Sequence, residues 1–229
     1  LLIQKYQTAD QIVWRIANIN TNFDEKKRRA MSEFWDERFG KQEYLYGKEP
    51  NAFLKQELEN IAPGKILFLA EGEGRNAVYA ATLGWNVDAL DSSAVGKAKA
   101  EKLAEERGVK INYELANLKF HKLPKELYDV VAIIFFHLPS DCRNEVYQEA
   151  IKSLMPGGRL ILELFDKEQF KVPYAGPKDE DLLYSLEDAV SDFVDLEFEK
   201  LSKETTLMDE GDGHKGSGYI IRFVGIKNK

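Results

Sequence analysis

Two glutamates, two glycines and an aspartate carry the chemistry this chain can do. In the run Lys65–Asp91, KILFLAEGEGRNAVYAATLGWNVDALD, an apolar stretch ends at Ala70 and is followed by Glu71-Gly72-Glu73-Gly74. Glycines in such a turn let backbone approach a ligand closely and adopt dihedrals closed to other residues. Asp91 closes the next apolar stretch, 19 residues after Gly72. A carboxylate there accepts both hydroxyls of a ribose. Gly72-x-Gly74-x-x-Ala77 also satisfies the dinucleotide pattern G-x-G-x-x-G/A. Glu73, however, stands where a pyrophosphate would meet a helix N-terminus, and like charges at close range cost on the order of kcal/mol even at a high effective dielectric.

A phosphate-free cationic adenosine compound suits the same residues better. S-adenosylmethionine offers a ribose to Asp91, and its sulfonium and ammonium tolerate acidic surroundings.

The elements that must position these residues follow from hydrophobic period and turn punctuation. Lys65–Ala70, Val87–Leu90, Val109–Leu115, Tyr128–Phe136 and Arg159–Phe165 are apolar runs of strand length. Arg75–Leu83, Ala94–Arg107 and Asp141–Leu154 read as the intervening helices. A helix near Asp181–Ser191 precedes two last strands, Val194–Lys203 and Gly218–Lys227, joined by the turn-rich stretch Asp209–Gly218. This order predicts an α/β fold: a Rossmann-like, doubly wound, seven-stranded sheet of five parallel-type strands plus a C-terminal antiparallel hairpin. Residues 1–30, with Ile12, Val13, Ile16 and Ile19 on one stripe, read as an N-terminal helical extension, and 31–229 as one domain.

Composition narrows the partners. A net charge of −7 opposes broad nucleic-acid binding, which needs Lys/Arg surface. The basic run Lys26–Arg29 then reads as a solvated helix end. The single cysteine, Cys142, implies a reducing, cytoplasmic compartment. No apolar run approaches the roughly 20 residues of a membrane span, and the first residues lack a charged leader with an apolar core. The three histidines and one cysteine show no zinc spacing, so no metal is expected.

Beyond these readings, the chain resembles the class I S-adenosylmethionine-dependent methyltransferases over about residues 31–229, and among them the small tellurite-resistance and thiopurine-methyltransferase-like group. The resemblance rests on WDERFG and YLYGKEPNAFL in the leading segment, LAEGEGRNAVYAA at the first turn, VDALDSS, IIFFHLPS and SLMPGGRLILELF. It implies a cofactor site built from Ala70, Glu71, Gly72, Gly74, Asn76, Asp91, Ser92, Ser93, Asn117, Leu118 and Phe136. The family's usual acid and glycine before the turn are replaced by Phe68 and Ala70.

On the acceptor side, His137 follows the central strand and is the candidate for chemistry. Trp35, Tyr46 and His214 are candidates for contacting or covering the substrate, although the turn that holds His214 also reads as a simple hairpin loop. Glu163 and Asp166 bracket the end of strand five; either is placed to line the pocket, and exposure is the default expectation. No Asn/Asp-Pro-Pro-aromatic motif ends strand four, so the expected acceptor is a small molecule methylated by in-line displacement. A nicotinamide-dependent oxidoreductase and a non-catalytic S-adenosylmethionine-binding protein stay open as alternatives. Oligomeric state is not read from the sequence.

Overall fold

The computed structural model describes residue 29 and residues 31–229. The expected extension over 1–30 therefore lies, apart from Arg29, outside the described residues. Seven strands form one sheet in the order β3-β2-β1-β4-β5-β7-β6. These are β1 (Lys65–Leu69), β2 (Asn86–Asp91), β3 (Asn112–Leu115), β4 (Tyr128–Ile134), β5 (Leu154–Phe165), β6 (Leu196–Glu210) and β7 (His214–Lys227). β1 to β5 pair in parallel, whereas β7 runs antiparallel to both β5 and β6. The helices are α1 (31–39), α2 (Ala52–Leu58), α3 (Arg75–Thr82), α4 (Ala94–Glu106), α5 (Ser140–Ser153) and α6 (Leu186–Asp192). The expected doubly wound sheet with its terminal hairpin is the observed one.

The apolar runs are continuous because both faces of the sheet are covered. Ile66, Phe68, Val130, Ala132 and Ile161 pack against Phe53, Leu54, Ala77 and Ala100 of α2, α3 and α4. The alternate residues Leu67, Leu69, Val131, Ile133 and Leu162 meet Tyr147 and Ile151 of α5, with Ala189 and Phe193 at α6. The order of strands reverses between β1 and β4, which opens a crevice beyond their carboxyl ends.

Several boundaries differ from the sequence reading. β5 starts at Leu154 rather than Arg159: Tyr128 pairs with Leu154 and Val130 with Arg159, so Met155–Gly158 bulge out of the ladder. The helix expected over Asp181–Ser191 is a 3₁₀ turn, Glu180–Leu182, followed by α6. The Ser185 side chain caps the N–H of Asp188 and starts the helix afresh. The hairpin is longer than expected, with Asp209 paired to Lys215 and Glu210 to His214, so most of the supposed loop is strand. α2 was not foreseen. Its start signal is Asn51, whose side chain accepts the N–H of Leu54.

Candidate active site at the carboxyl ends of the strands

The glycine turn is held by its own acids. Ala70, Gly72 and Gly74 all have positive φ, at 55°, 65° and 89°. Glu71 is buried, and its Oε1 accepts the N–H groups of Asn76 (2.9 Å) and Ala77 (2.7 Å) in the first turn of α3. The anion-binding end of that helix is thus already occupied by a side chain of the protein. Burial pushes the Glu71 carboxyl up to about 8, against the pull of those two N–H groups and Arg75. Glu73 is also buried. It accepts the N–H of Leu45 (2.7 Å) and pairs with Lys99 (2.7 Å), so it ties the leading segment to the turn and to α4. Phe68 is 1% exposed and belongs to the core.

Asp91 is brought to the turn as expected. Its Oδ2 accepts the N–H of Gly72 (2.9 Å) and its Oδ1 that of Ser93 (2.8 Å). Each oxygen keeps a lone pair for a ligand. Burial raises the Asp91 pKa against the hydrogen bonds from Ser93 and Gly72. Tyr113 donates its hydroxyl to the Gly72 carbonyl (2.7 Å), bracing the turn from β3. Asn117 and Leu118 follow Ala116, whose N–H donates to the Asp91 carbonyl (2.8 Å). The Asn117 side-chain oxygen is used on the N–H of Lys119 (3.1 Å), a local turn bond.

Helix α1 lies over this side of the crevice. Asp36 accepts the Ser93 hydroxyl (2.6 Å) and the Val95 N–H (3.1 Å), and Ser32 donates to the Ser92 carbonyl (2.8 Å). Trp35 stacks on Phe39 at 5.3 Å, and the Phe39 ring sits where a Cβ on Gly72 would be 3.2 Å away. Phe34, beside Trp35, is 51% exposed.

The other side of the crevice is aromatic. Phe135, at the end of β4 with φ of 53°, contacts Phe165 (ring centroids 4.7 Å) and His214 (4.4 Å). Tyr46 lies 4.5 Å from His214, and His137 stacks on Phe165 at 5.5 Å. Phe136 is half-buried and packs on the α5 face of the core. His214 is not on a free hairpin loop: it is buried, because the hairpin tip is clamped to the leading segment. The Gly213 N–H donates to the Leu45 carbonyl (2.9 Å), and a Cβ on Gly211 would lie 2.5 Å from that same oxygen.

Both imidazoles have settled tautomers. His137 Nδ1 lies 2.9 Å from the Leu182 carbonyl, which can only accept, so Nδ1 carries the hydrogen. Its Nε2 is sealed from solvent without a hydrogen-bond partner among the described residues, and burial pushes its pKa down to about 3. His214 Nδ1 is 3.0 Å from Glu210 Oε2. That carboxylate also pairs with Arg75 (3.0 Å). Burial opposes ionisation of Glu210, but the His214 bond and the Arg75 charge hold it down at about 2.

Glu163 and Asp166 are both buried, contrary to expectation. Glu163 accepts Asn51 Nδ2 (2.6 Å) and Arg222 Nε (2.6 Å), while Asp166 caps the turn Lys167–Lys171 and pairs with Lys203 (2.9 Å). Asn51 also donates its N–H to Asn76 Oδ1 (2.9 Å), linking α2, α3 and β5. A cavity of about 320 Å³ opens beside this network, lined by Tyr46, Asn51, Glu163, Met208, Glu210 and Arg222 among others. Arg75, Asn51 and Glu210 were not singled out from sequence. Apart from the local bonds Asn51–Leu54 and Glu210–His214, their partners lie 25 to 159 residues away in the chain, beyond the reach of local pattern. Among the described residues, no group of three His, Cys, Asp or Glu side chains could hold a metal ion, and no helix is long and apolar enough to cross a membrane.

Residues 66–158 match the family model described as "Methyltransferase domain". Hemagglutinin 1 of Eikenella corrodens is 23% identical over 176 residues, which cover 75% of this chain. The chain spans 56% of the length of that curated relative. Among solved structures, TehB from Haemophilus influenzae has a TM-score of 0.66 at 17% identity, covering 86% of this chain and 67% of its own. A protein solved in work on "Conversion of a Disulfide Bond into a Thioacetal Group during Echinomycin Biosynthesis" has a TM-score of 0.70 at 17% identity, covering 86% and 92%. At these identities the structural likeness is one of fold.

Proposed function

We propose that this chain, which matches a methyltransferase-domain model over residues 66–158, is a class I S-adenosylmethionine-dependent methyltransferase that transfers a methyl group to a small-molecule acceptor by in-line displacement. The observation that carries the choice of cofactor chemistry is the Glu71 bond to the first N–H groups of α3. A pyrophosphate needs those donors and would find them already taken by the Glu71 carboxyl. This disfavours the nicotinamide reading and leaves the ribose-binding acid in position. In the proposed site Asp91 holds the ribose hydroxyls, and the backbone of Ala70, Gly72 and Gly74 forms the floor. Asn76 anchors the turn to Asn51, while Ser92, Ser93, Asn117, Leu118 and Phe136 flank the adenosine. Trp35, through Phe39, covers the turn.

When bound, S-adenosylmethionine supplies a methyl group on a sulfonium whose departure leaves a neutral thioether. The protein has to bring the acceptor in line and exclude water. Tyr46, Phe135 and Phe165 provide apolar walls for this at the end of β4. TehB shares the fold, and a small acceptor fits a chain whose net charge is −7.

Asp91→Ala should weaken S-adenosylmethionine binding by about 1–3 kcal/mol, through loss of charge-assisted hydrogen bonds. Titration calorimetry of S-adenosylmethionine, S-adenosylhomocysteine and NADH against both proteins checks this. Tight NADH binding without S-adenosylmethionine binding would falsify the assignment.

Glu71 adds a pH signature. With its carboxyl pushed up to about 8, it is mostly protonated at neutral pH. A cationic ligand nearby favours the carboxylate, so binding should release protons and tighten as pH rises toward that value. Calorimetry near neutral pH in buffers of different ionisation enthalpy reads the release directly. Identical heats in phosphate and Tris would remove this role from Glu71.

A further inference from the structure

Two neutral imidazoles stand in one aromatic enclosure at the end of β4, and both offer a lone pair rather than a hydrogen. For His137 this follows from the Leu182 carbonyl at Nδ1, which leaves Nε2 sealed and unpartnered among the described residues. A buried acceptor without a hydrogen bond is costly, so such a group points to a donor that arrives with a ligand. For His214 it follows from Glu210, which holds Nδ1–H; no group among the described residues hydrogen-bonds its Nε2. Glu210 is itself fixed by Arg75 and by Asn51 (3.3 Å). The two histidines share Phe135 and Phe165 as ring neighbours, and Tyr46 closes the His214 side. An adjoining cavity of about 320 Å³, with room for a single-ring molecule, shares Tyr46 and Glu210 with this enclosure, neither histidine being among its walls.

Resting on the methyl-transfer reading above, we infer that the acceptor is an aromatic hydroxyl compound whose proton passes to Nε2 of His214. Glu210 is the positioning residue that fixes the tautomer, and Nε2 of His137 accepts a second hydrogen bond from the ligand. In the step, the acceptor O–H bond breaks and its proton forms the Nε2–H bond. An oxygen lone pair forms the O–CH₃ bond as the S–CH₃ bond breaks, and that electron pair stays on sulfur. The imidazolium, beside the Glu210 carboxylate, returns its proton to water. Around His214 the charged and titratable groups are Glu210, Arg75, Arg38, Tyr46 and His137. Burial and the arginine charges lower its pKa while Glu210 raises it, and the balance lies below the ordinary histidine value. His214 therefore rests neutral and able to take a proton.

The test compares para-cresol with para-thiocresol in the full chain. The aryl thiol ionises far more readily and needs no base. His214→Gln should lose about 10²–10⁴-fold in kcat/KM on para-cresol and little on para-thiocresol, with Glu210→Gln showing a smaller loss of the same selectivity. Independently of turnover, catechol, which has one hydroxyl for each imidazole, added to the ¹⁵N-histidine-labelled protein should shift the Nε2 resonances of His137 and His214 and leave His121 unmoved. Equal losses on both acceptors in both variants would make the pair merely structural and overturn the inference. So would wild-type turnover of para-thiocresol alone, or unmoved Nε2 resonances, while leaving methyl transfer intact. Absence of S-adenosylmethionine binding by calorimetry would instead defeat the underlying reading.

Discussion

Glu163→Ala is expected to destabilise the protein by about 3–5 kcal/mol, the usual consequence of removing one member of a buried ion pair. Glu163 is 2% exposed, and one oxygen serves Arg222 while the other serves Asn51. Its loss leaves Arg222 with Glu204 (2.6 Å) as its one ion-pair partner among the described residues, and leaves Asn51 without its shortest bond. The damage then spreads, because Asn51 also caps α2 and holds Asn76 of α3. Denaturant unfolding of the wild type, Glu163→Ala, Arg222→Ala and the double variant provides the check. A coupling energy below about 1 kcal/mol in that cycle would show that Glu163 and Arg222 do not stabilise the fold as a pair.

Gly74→Ala should cost about 3 kcal/mol and loosen cofactor binding at the same time. Gly74 is the N-cap of α3 with φ of 89°, a conformation that penalises any Cβ by about 1–2 kcal/mol. That Cβ would also lie 2.5 Å from the Cβ of Ala100 and 2.6 Å from its Cα, so α4 has to move as a body. Overpacking of this kind adds about 1–3 kcal/mol. Because α4 begins at Ser93, which donates to Asp91, the displacement reaches the ribose end of the site. Thermal unfolding and S-adenosylmethionine titration of the variant measure the two effects. Full affinity in a destabilised protein would separate the turn's packing role from its binding role.

Much of the sheet was legible in the sequence because buried parallel strands write themselves as apolar runs bounded by glycine and proline. The Gly72–Asp91 relation was legible because it lies within one βαβ unit, where spacing fixes geometry. The acceptor side was not. His214 read as a loop residue because Asp209–Gly216 is polar and glycine-rich. What buries it is the fit of Gly211 and Gly213 against Leu45 and Tyr46, a contact between distant segments. Glu163 and Asp166 read as exposed because an isolated acid usually is; Arg222 and Lys203, far along the chain, reverse that default. Ala70 shows the converse limit. Its positive φ keeps the backbone turn that a glycine would make, although the residue type gives no sign of it.

The clamp between Leu45 and Gly213 joins positions 168 residues apart in sequence. During synthesis, the glycine turn and Asp91 can come together long before β7 exists. The roof over Tyr46 and His214 cannot, because its second half is made 168 residues after its first. Closing so long a loop is entropically costly until the intervening sheet has formed. The two halves of the crevice therefore mature in order, first a ledge able to meet a nucleoside and only later an enclosure able to shut out water.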